Sequence, residues 1–200
     1  MPLETFKQTK NSCLLLSSCI ILNKFTGEKI EDLMKLFNEY FINLGNFFSK
    51  DDGTELSLKI KNQNNEEEIY DVIYNHCLYN SDSKVQFQIT QSYIKNAFFE
   101  LSKRNNITIE LVDFKAQYSF IEYELKRGNS FLSLSFRHII GSNEGWHVTS
   151  IGFENGYFYT SDTNSNAIII IGNSIFDIKT AMVNIYKSII DLGDGLLYKK

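Results

Sequence analysis

The stretch Gly145–Asn164, GWHVTSIGFENGYFYTSDTN, constrains the fold of this chain more than any other. Two segments rich in β-branched and aromatic residues flank the turn sequence Glu-Asn-Gly (154–156), which supplies the positive φ that a tight turn needs. This pattern predicts a β-hairpin. His147 stands near the start of its first strand and Asp162 at the end of its second, so a hairpin brings them together. Because a carboxylate orients an imidazole for proton transfer, we interpret the two as a candidate acid–base pair.

Composition narrows the classes of function. The chain has 200 residues, of which 43% are hydrophobic, enough to bury one core, and we expect one domain over residues 1–200. The net charge of −4 argues against a nucleic-acid partner, because phosphate binding needs clustered Lys and Arg. Three cysteines without metal-binding spacing predict neither a disulfide framework nor a metal site, and they favour a reducing compartment. No cofactor is predicted.

Hydropathy predicts no membrane span, because no apolar run reaches about 18 residues. The segment CLLLSSCIIL follows two lysines, as in a signal peptide, but the apolar run before its second cysteine is shorter than the roughly 7–15 residues of such a region. We therefore expect the protein to be cytoplasmic, or exported without a cleaved signal peptide, for example into a host cell.

Helical and strand periodicities together predict an α+β fold, with helices first and an antiparallel sheet later. The first helix is apolar nearly all round and should be buried. Predicted helices cover Cys13–Lys24, Lys29–Phe48, Glu66–Tyr79, Gln86–Arg104, Lys115–Lys126 and Ser174–Leu192. Predicted strands are ITIELVDF, SFLSLSFRHII, WHVTSIGF, GYFYTSD and NAIIIIG, and the tail GDGLLYKK is expected to add an edge strand.

A thiol at a helix start completes the candidate site. The Asn-Ser pair before Cys13 is a good N-cap, which places this cysteine in the first turn of the first helix. The partial positive charge of a helix N-terminus favours thiolate, the form of cysteine that attacks carbonyl groups. Gln8, on the approach to this helix, can place its side-chain amide beside the Cys13 N–H as an oxyanion hole. The predicted catalytic residues are therefore Gln8, Cys13, His147 and Asp162.

Together with the segments that flank them, these residues resemble those of the papain-like cysteine peptidases, and most closely their C39-like branch. Gln8-x4-Cys13 with LLLSSCIILNKFTGEKIEDLMKLF is similar to that family's glutamine, cysteine, core helix and second helix. FIEYELKRGNSFLSLSFRHIIGSNEGWHVTSIGFENGYFYTSDTN resembles its helix ending in Lys-x-Gly, a buried strand, the His strand and the Asp strand. NAIIIIGNSIFDIKTAM resembles the strand and helix that follow. Bacterial effector proteases and glutamine deamidases of this fold end their Asp strand similarly.

The resemblance implies a papain-like fold whose nucleophile helix is buried against the sheet. It also implies a thiol hydrolase that acts through a thioester on a peptide bond or a glutamine side-chain amide of a protein or peptide substrate, as in a bacterial effector. An acyltransferase of the same fold and an inactive papain-like binding module are the alternatives. Residues Ser49–Asp113 match no part of the family and are interpreted as a variable insertion or a substrate-facing region.

Several residues have competing interpretations. His138 is a rival base, although no aspartate follows it at hairpin distance. Asn164 is a second choice for orienting the histidine. Cys19 lies on another face of the first helix and is interpreted as a core residue, because a small buried thiol packs as a hydrophobic side chain. Cys77 is interpreted as incidental, because His76-Cys77 without another ligand nearby is a poor metal site.

Overall fold

A computed structural model of the protein describes residues 2–7, 13–48, 91, 93–141 and 143–200. Gln8, Cys77 and the predicted helix Glu66–Tyr79 lie outside these residues. The helices are α1 Cys13–Thr26, α2 Ile30–Phe48, α3 Phe99–Arg104, α4 Phe114–Lys126 and α5 Asp177–Tyr186. The strands are β1 Thr108–Asp113, β2 Ser130–Ile140, β3 Asn143–Glu154, β4 Tyr157–Asp162, β5 Ala167–Gly172 and β6 Ile189–Lys199. The predicted α+β class is confirmed.

The first helix is the centre of one hydrophobic core. Every side chain of α1 from Leu14 to Leu22 is buried, as its all-round apolar sequence predicts. It packs on β2 and β3 with help from α2. Among its polar residues, the Ser17 hydroxyl bonds those of Ser133 in β2 and Ser150 in β3, at 2.9 and 2.8 Å. These bonds satisfy buried polar groups and fix α1 against both strands.

The sheet has six antiparallel strands in the order β1-β6-β2-β3-β4-β5. One face carries the core around α1, which includes Val148 and Tyr159. The opposite face carries a second core with α4 and α5, which includes Ile151 and Phe158. A layer of helices on each face thus buries both sides of the sheet, and β3 and β4 contribute side chains to both cores.

The C-terminal region differs from the prediction in two ways. The helix predicted over Ser174–Leu192 is wrong in extent, because α5 stops at Tyr186, where Lys187 takes a left-handed conformation with φ of 50°. The strand that follows is not at the edge, since β6 pairs with β1 on one side and β2 on the other. Its glycines allow this interior position. A Cβ at Gly195 would lie 2.8 Å from both the Leu132 Cδ1 and the Ser133 carbonyl oxygen.

Other boundaries shift by small amounts. The helix predicted over Gln86–Arg104 is divided by a turn at Phe98, with helical residues 93–97 before it and α3 after it. Helix α4 begins one residue earlier than predicted because Asp113 caps it, its Oδ1 accepting from the backbone N–H of Lys115 and Ala116 at 2.9 and 3.1 Å. Within the described ranges, none of the helices is long and apolar enough to cross a bilayer.

Two residues of β4 hold the N-terminal segment 2–7 on the sheet. The Leu3 N–H donates to the Tyr159 hydroxyl at 3.1 Å, and the Ser161 hydroxyl donates to the Glu4 carbonyl at 2.6 Å. The Tyr159 ring lies over Gly152 of the neighbouring strand. An aromatic ring over a strand glycine covers backbone that has no side chain of its own.

We expect Gly152→Ala to lower the free energy of unfolding by about 1–3 kcal/mol. The added Cβ would lie 2.5 Å from the Tyr159 Oη and 2.6 Å from its Cζ, and this buried ring cannot shift without disturbing the Leu3 hydrogen bond to its hydroxyl. Chemical denaturation measures the loss. In a Tyr159→Leu background the smaller side chain leaves room, so the same alanine should cost less than half as much. An equal loss in both backgrounds would contradict the contact.

Candidate active site

His147 and Asp162 meet just past the end of the β3–β4 ladder. The register of this hairpin runs from Glu154 opposite Tyr157 to Ser150 opposite Ser161. Beyond that pair, the His147 Nε2–H donates to the Asp162 Oδ1 at 2.8 Å. Only 6% of the His147 side chain and 1% of the Asp162 side chain are exposed. The bond is therefore a buried, charge-assisted contact, shielded from solvent competition.

Three residues donate hydrogen bonds to the Asp162 carboxylate. Besides His147, its Oδ1 accepts from the Tyr186 hydroxyl at 2.7 Å, and its Oδ2 accepts from the Ser165 backbone N–H at 2.9 Å. Burial alone would raise the pKa of Asp162, but the hydrogen bond and positive charge of His147, with the Ser165 bonds, hold this pKa well below its usual range. Asp162 is therefore a carboxylate at any physiological pH and can act only as an acceptor.

Cys13 is the first residue of α1 and is partly exposed, and its side chain hydrogen-bonds His147. Because the Nε2 of His147 is engaged by Asp162, Nδ1 is the ring nitrogen that remains for the thiol. Burial lowers the pKa of His147, but the hydrogen bonds and negative charges of Asp162 and Cys13 outweigh this effect and raise the pKa to about 9. One imidazole thus bridges a thiol and a carboxylate and favours the protonated form at neutral pH.

The rival residues occupy other positions. His138 of β2 stacks on Tyr186 with ring centroids 5.9 Å apart, and burial, followed by the charge of His147, lowers its pKa. The Asn164 side chain hydrogen-bonds Tyr186. Cys19 is fully buried in the α1 core, where burial raises its pKa well above the usual value. Gln8, the predicted oxyanion-hole residue, lies outside the described residues, so its role stays a prediction.

Tyr186 is a site residue that sequence reasoning missed. It is the last residue of α5, inside a segment where an aromatic side chain at helical spacing normally indicates core packing. Its ring does pack, with its centroid 5.1 Å from that of Phe136 and 5.5 Å from that of His147. Its hydroxyl on Asp162 depends on how α5 docks on the sheet, and no local pattern signals that.

The described residues form no cluster of the side chains that commonly bind metal ions. Across the residues that the structure describes, no three His, Cys, Asp or Glu side chains lie close enough to hold one ion. The His147 ring contacts the side chains of Asp162, Tyr186 and Cys13.

Comparisons with known proteins find similarity at the level of structure. No protein-family model matches the chain, and a search of curated proteins found no match. The crystal structure of the avirulence protein AvrPphB of Pseudomonas is similar, with a TM-score of 0.49 and 12% sequence identity over 100% of this chain and 97% of that chain.

Proposed function

We propose that the protein is a papain-like thiol hydrolase in which Cys13 is the nucleophile, His147 the general base and acid, and Asp162 the residue that orients His147. One observation carries the proposal. The His147 ring is bonded to a buried carboxylate on one side and to the thiol at a helix start on the other. A nucleophile, a base and a group that orients the base are the parts that covalent acyl transfer needs.

The reaction follows from these contacts. With the proton already held on the His147 ring, the Cys13 sulfur attacks the carbonyl carbon of an amide. The tetrahedral oxyanion collapses, the C–N bond breaks, and the imidazolium gives its proton to the departing nitrogen. A thioester remains on Cys13. Water, deprotonated by His147, attacks this thioester, and the acid product and the free thiol are released.

Stabilisation of the oxyanion is assigned to the N-terminus of α1. The backbone N–H of Cys13 belongs to the first turn of a helix, where N–H groups have no partner within the helix. We propose that the Gln8 side-chain amide supplies a second donor, as the motif resemblance implies. Two donors aimed at a developing negative charge typically contribute several kcal/mol to lowering the barrier.

The substrate class is an amide carbonyl of a protein or peptide, either a main-chain peptide bond or a glutamine side chain. Both release a nitrogen leaving group that the imidazolium can protonate, so the same residues serve either reaction. We further propose that residues 1–200 form one domain, in which residues 49–113 include the substrate-facing part. The C39-like assignment within the papain-like group rests on the sequence motifs.

The first test is selective alkylation of Cys13. We expect iodoacetamide at pH 7 to modify Cys13 at least about tenfold faster than Cys19, because Cys13 is partly exposed beside an imidazolium while Cys19 is fully buried with a raised pKa. Peptide mapping by mass spectrometry measures both rates. Equal or slower modification of Cys13 would count against every thiol mechanism at this site.

Turnover then separates the reactions. The protein is incubated with a peptide library rich in glutamine, and new N-termini indicate peptide hydrolysis, whereas a mass increase of about 1 Da without cleavage indicates deamidation. Cys13→Ala should abolish either product, and Cys19→Ala is the matched control that keeps activity. Acyl products formed only when an amine is added would favour the acyltransferase. Absence of any product alongside unselective alkylation would favour the binding module.

A further inference from the structure

Tyr186 approaches the candidate triad from the helix layer rather than from the sheet. Helix α5 ends at this residue, and the left-handed Lys187 turns the chain into β6. The Tyr186 ring contacts three aromatic neighbours, with centroids 5.1 Å from Phe136, 5.9 Å from His138 and 5.5 Å from His147. A ring held on several sides has few alternative rotamers, so its hydroxyl has a fixed direction.

That direction is toward the Asp162 oxygen that also binds His147. The Tyr186 hydroxyl donates to Oδ1 at 2.7 Å, and His147 Nε2 lies 2.8 Å from the same atom. The Ser165 N–H occupies Oδ2, so the carboxylate cannot rotate without losing a bond. Because Asp162 is only 1% exposed, solvent cannot readily replace a lost donor there.

Tyr186 is built to remain a donor. Burial and the charge of Asp162 raise its pKa far above the usual value, although the Asn164 hydrogen bond acts in the opposite direction. The phenol therefore stays protonated wherever the enzyme can work. By donating to Oδ1, the Tyr186 hydroxyl partly neutralises this oxygen and so weakens its attraction for the His147 imidazolium. The same bond fixes the position of Oδ1, the atom that orients the imidazole.

We propose that Tyr186 is a positioning residue of this site, whose hydroxyl holds the Asp162 oxygen that orients His147 toward Cys13. The inference rests on the proposed function and adds one more side chain to the set of Cys13, His147 and Asp162. Tyr186 acts through Asp162 and takes no proton itself. Asn164 extends the chain of contacts by one step, because its side chain bonds the Tyr186 hydroxyl.

Tyr186→Phe tests the role, because it removes the hydroxyl and keeps the ring against Phe136 and His138. Among the described residues, the titratable groups that face His147 are Cys13 of α1, His138 of β2, Asp162 of β4 and Tyr186 of α5. Without the competing donor, Asp162 holds the imidazolium more strongly. The pKa of His147, measured by NMR on histidine-labelled protein, should therefore rise by about 0.5–1 pH unit.

Two further variants complete the design. Tyr157→Phe removes an exposed hydroxyl at the far end of β4 and should leave the His147 titration unchanged. Asn164→Ala removes the hydrogen bond to the Tyr186 hydroxyl and so weakens this hydroxyl as a donor to Asp162. The pKa of His147 should then rise as well, but by less than in Tyr186→Phe. This variant also keeps the test decisive should Tyr186→Phe fail to fold. The role of Tyr186 would be overturned if the pKa of His147 is unchanged in Tyr186→Phe, or in Asn164→Ala where Tyr186→Phe does not fold.

The two proposals fail in different experiments. The His147 titration needs no substrate, so it reports on Tyr186 even if no turnover is found. On a substrate of the wild-type protein, Tyr186→Phe should lower kcat about fivefold to tenfold at neutral pH with little change in KM, and it should move the alkaline limb of the pH–rate profile upward with the His147 titration. Activity that survives in Cys13→Ala would overturn the proposed function and leave the titration result standing.

Discussion

Replacing His147 by alanine is expected to lower kcat for amide hydrolysis about a thousandfold while the fold persists. The imidazole is the group that contacts both the Cys13 thiol and the Asp162 carboxylate, and it must give a proton to the leaving nitrogen and then accept one from water. Its loss also removes the positive charge beside the sulfur, so alkylation of Cys13 by iodoacetamide at pH 6.5 should slow about tenfold. Single-turnover kinetics and alkylation rates measure the two effects separately.

The comparison for this variant is His138→Ala, which removes the rival base. His138 stacks on Tyr186, whose ring contacts His147, so its connection to the thiol is indirect. Its loss should therefore reduce kcat less than tenfold. The reverse pattern, in which His138→Ala is inactive and His147→Ala is not, would reassign the base. Circular dichroism and thermal unfolding of both variants establish that each retains its fold.

Asp162→Asn is expected to change how stability depends on pH. The pKa of His147 is about 9 in the folded protein and near 6.5 when unfolded, so the folded state binds the proton more tightly. This stabilisation is fully present below pH 6.5 and is lost as the pH rises through 9. The low pKa of Asp162 stabilises the fold above about pH 4 and loses that effect at lower pH.

The asparagine keeps an acceptor oxygen but removes the charge, so His147 returns toward the lower pKa that burial dictates. Between pH 6.5 and 9 the wild-type free energy of unfolding should therefore fall by roughly 3 kcal/mol relative to the variant. Urea titrations at several pH values measure the difference. Tyr157→Phe, which leaves the pair intact, should follow the wild-type curve. Parallel curves for the wild type and Asp162→Asn would show that the pair does not titrate as described.

Local sequence signals predicted much of this molecule. The all-round apolar α1, the Asn-Gly hairpin and the contact of His147 with Asp162 each follow from short-range patterns, because a helix face, a turn and a strand end are decided within a few residues. Cys13 is the first residue of α1, in the first turn as predicted, while the expected N-cap residues Asn11 and Ser12 lie outside the described residues. The sequence thus predicted which elements carry the proposed nucleophile, base and orienting residue before any tertiary packing was known.

Features that depend on long-range packing were not predicted. The C-terminal segment reads as helix because Ile185, Ile189 and Ile190 continue an apolar pattern, yet residues 189–192 pair with residues 136–139 of β2, which favours a strand there. Similarly, Tyr186 reads as a core aromatic residue, and only the docking of α5 aims its hydroxyl at Asp162. In both cases tertiary contacts override the local sequence preference. This is common, because the preference of a segment for a strand depends strongly on what it packs against.

The interior position of β6 has a consequence for synthesis of the protein. β1 pairs only with β6 among the described strands, and β2 has β6 as one of its two neighbours. During synthesis, residues 189–199 of β6 are made after all the other described strands. Until they emerge, the edges of β1 and β2 that pair with β6 have no partner. The nascent chain therefore holds the proposed nucleophile and base well before its sheet can close, and it should depend on chaperones until Lys199 has left the exit tunnel.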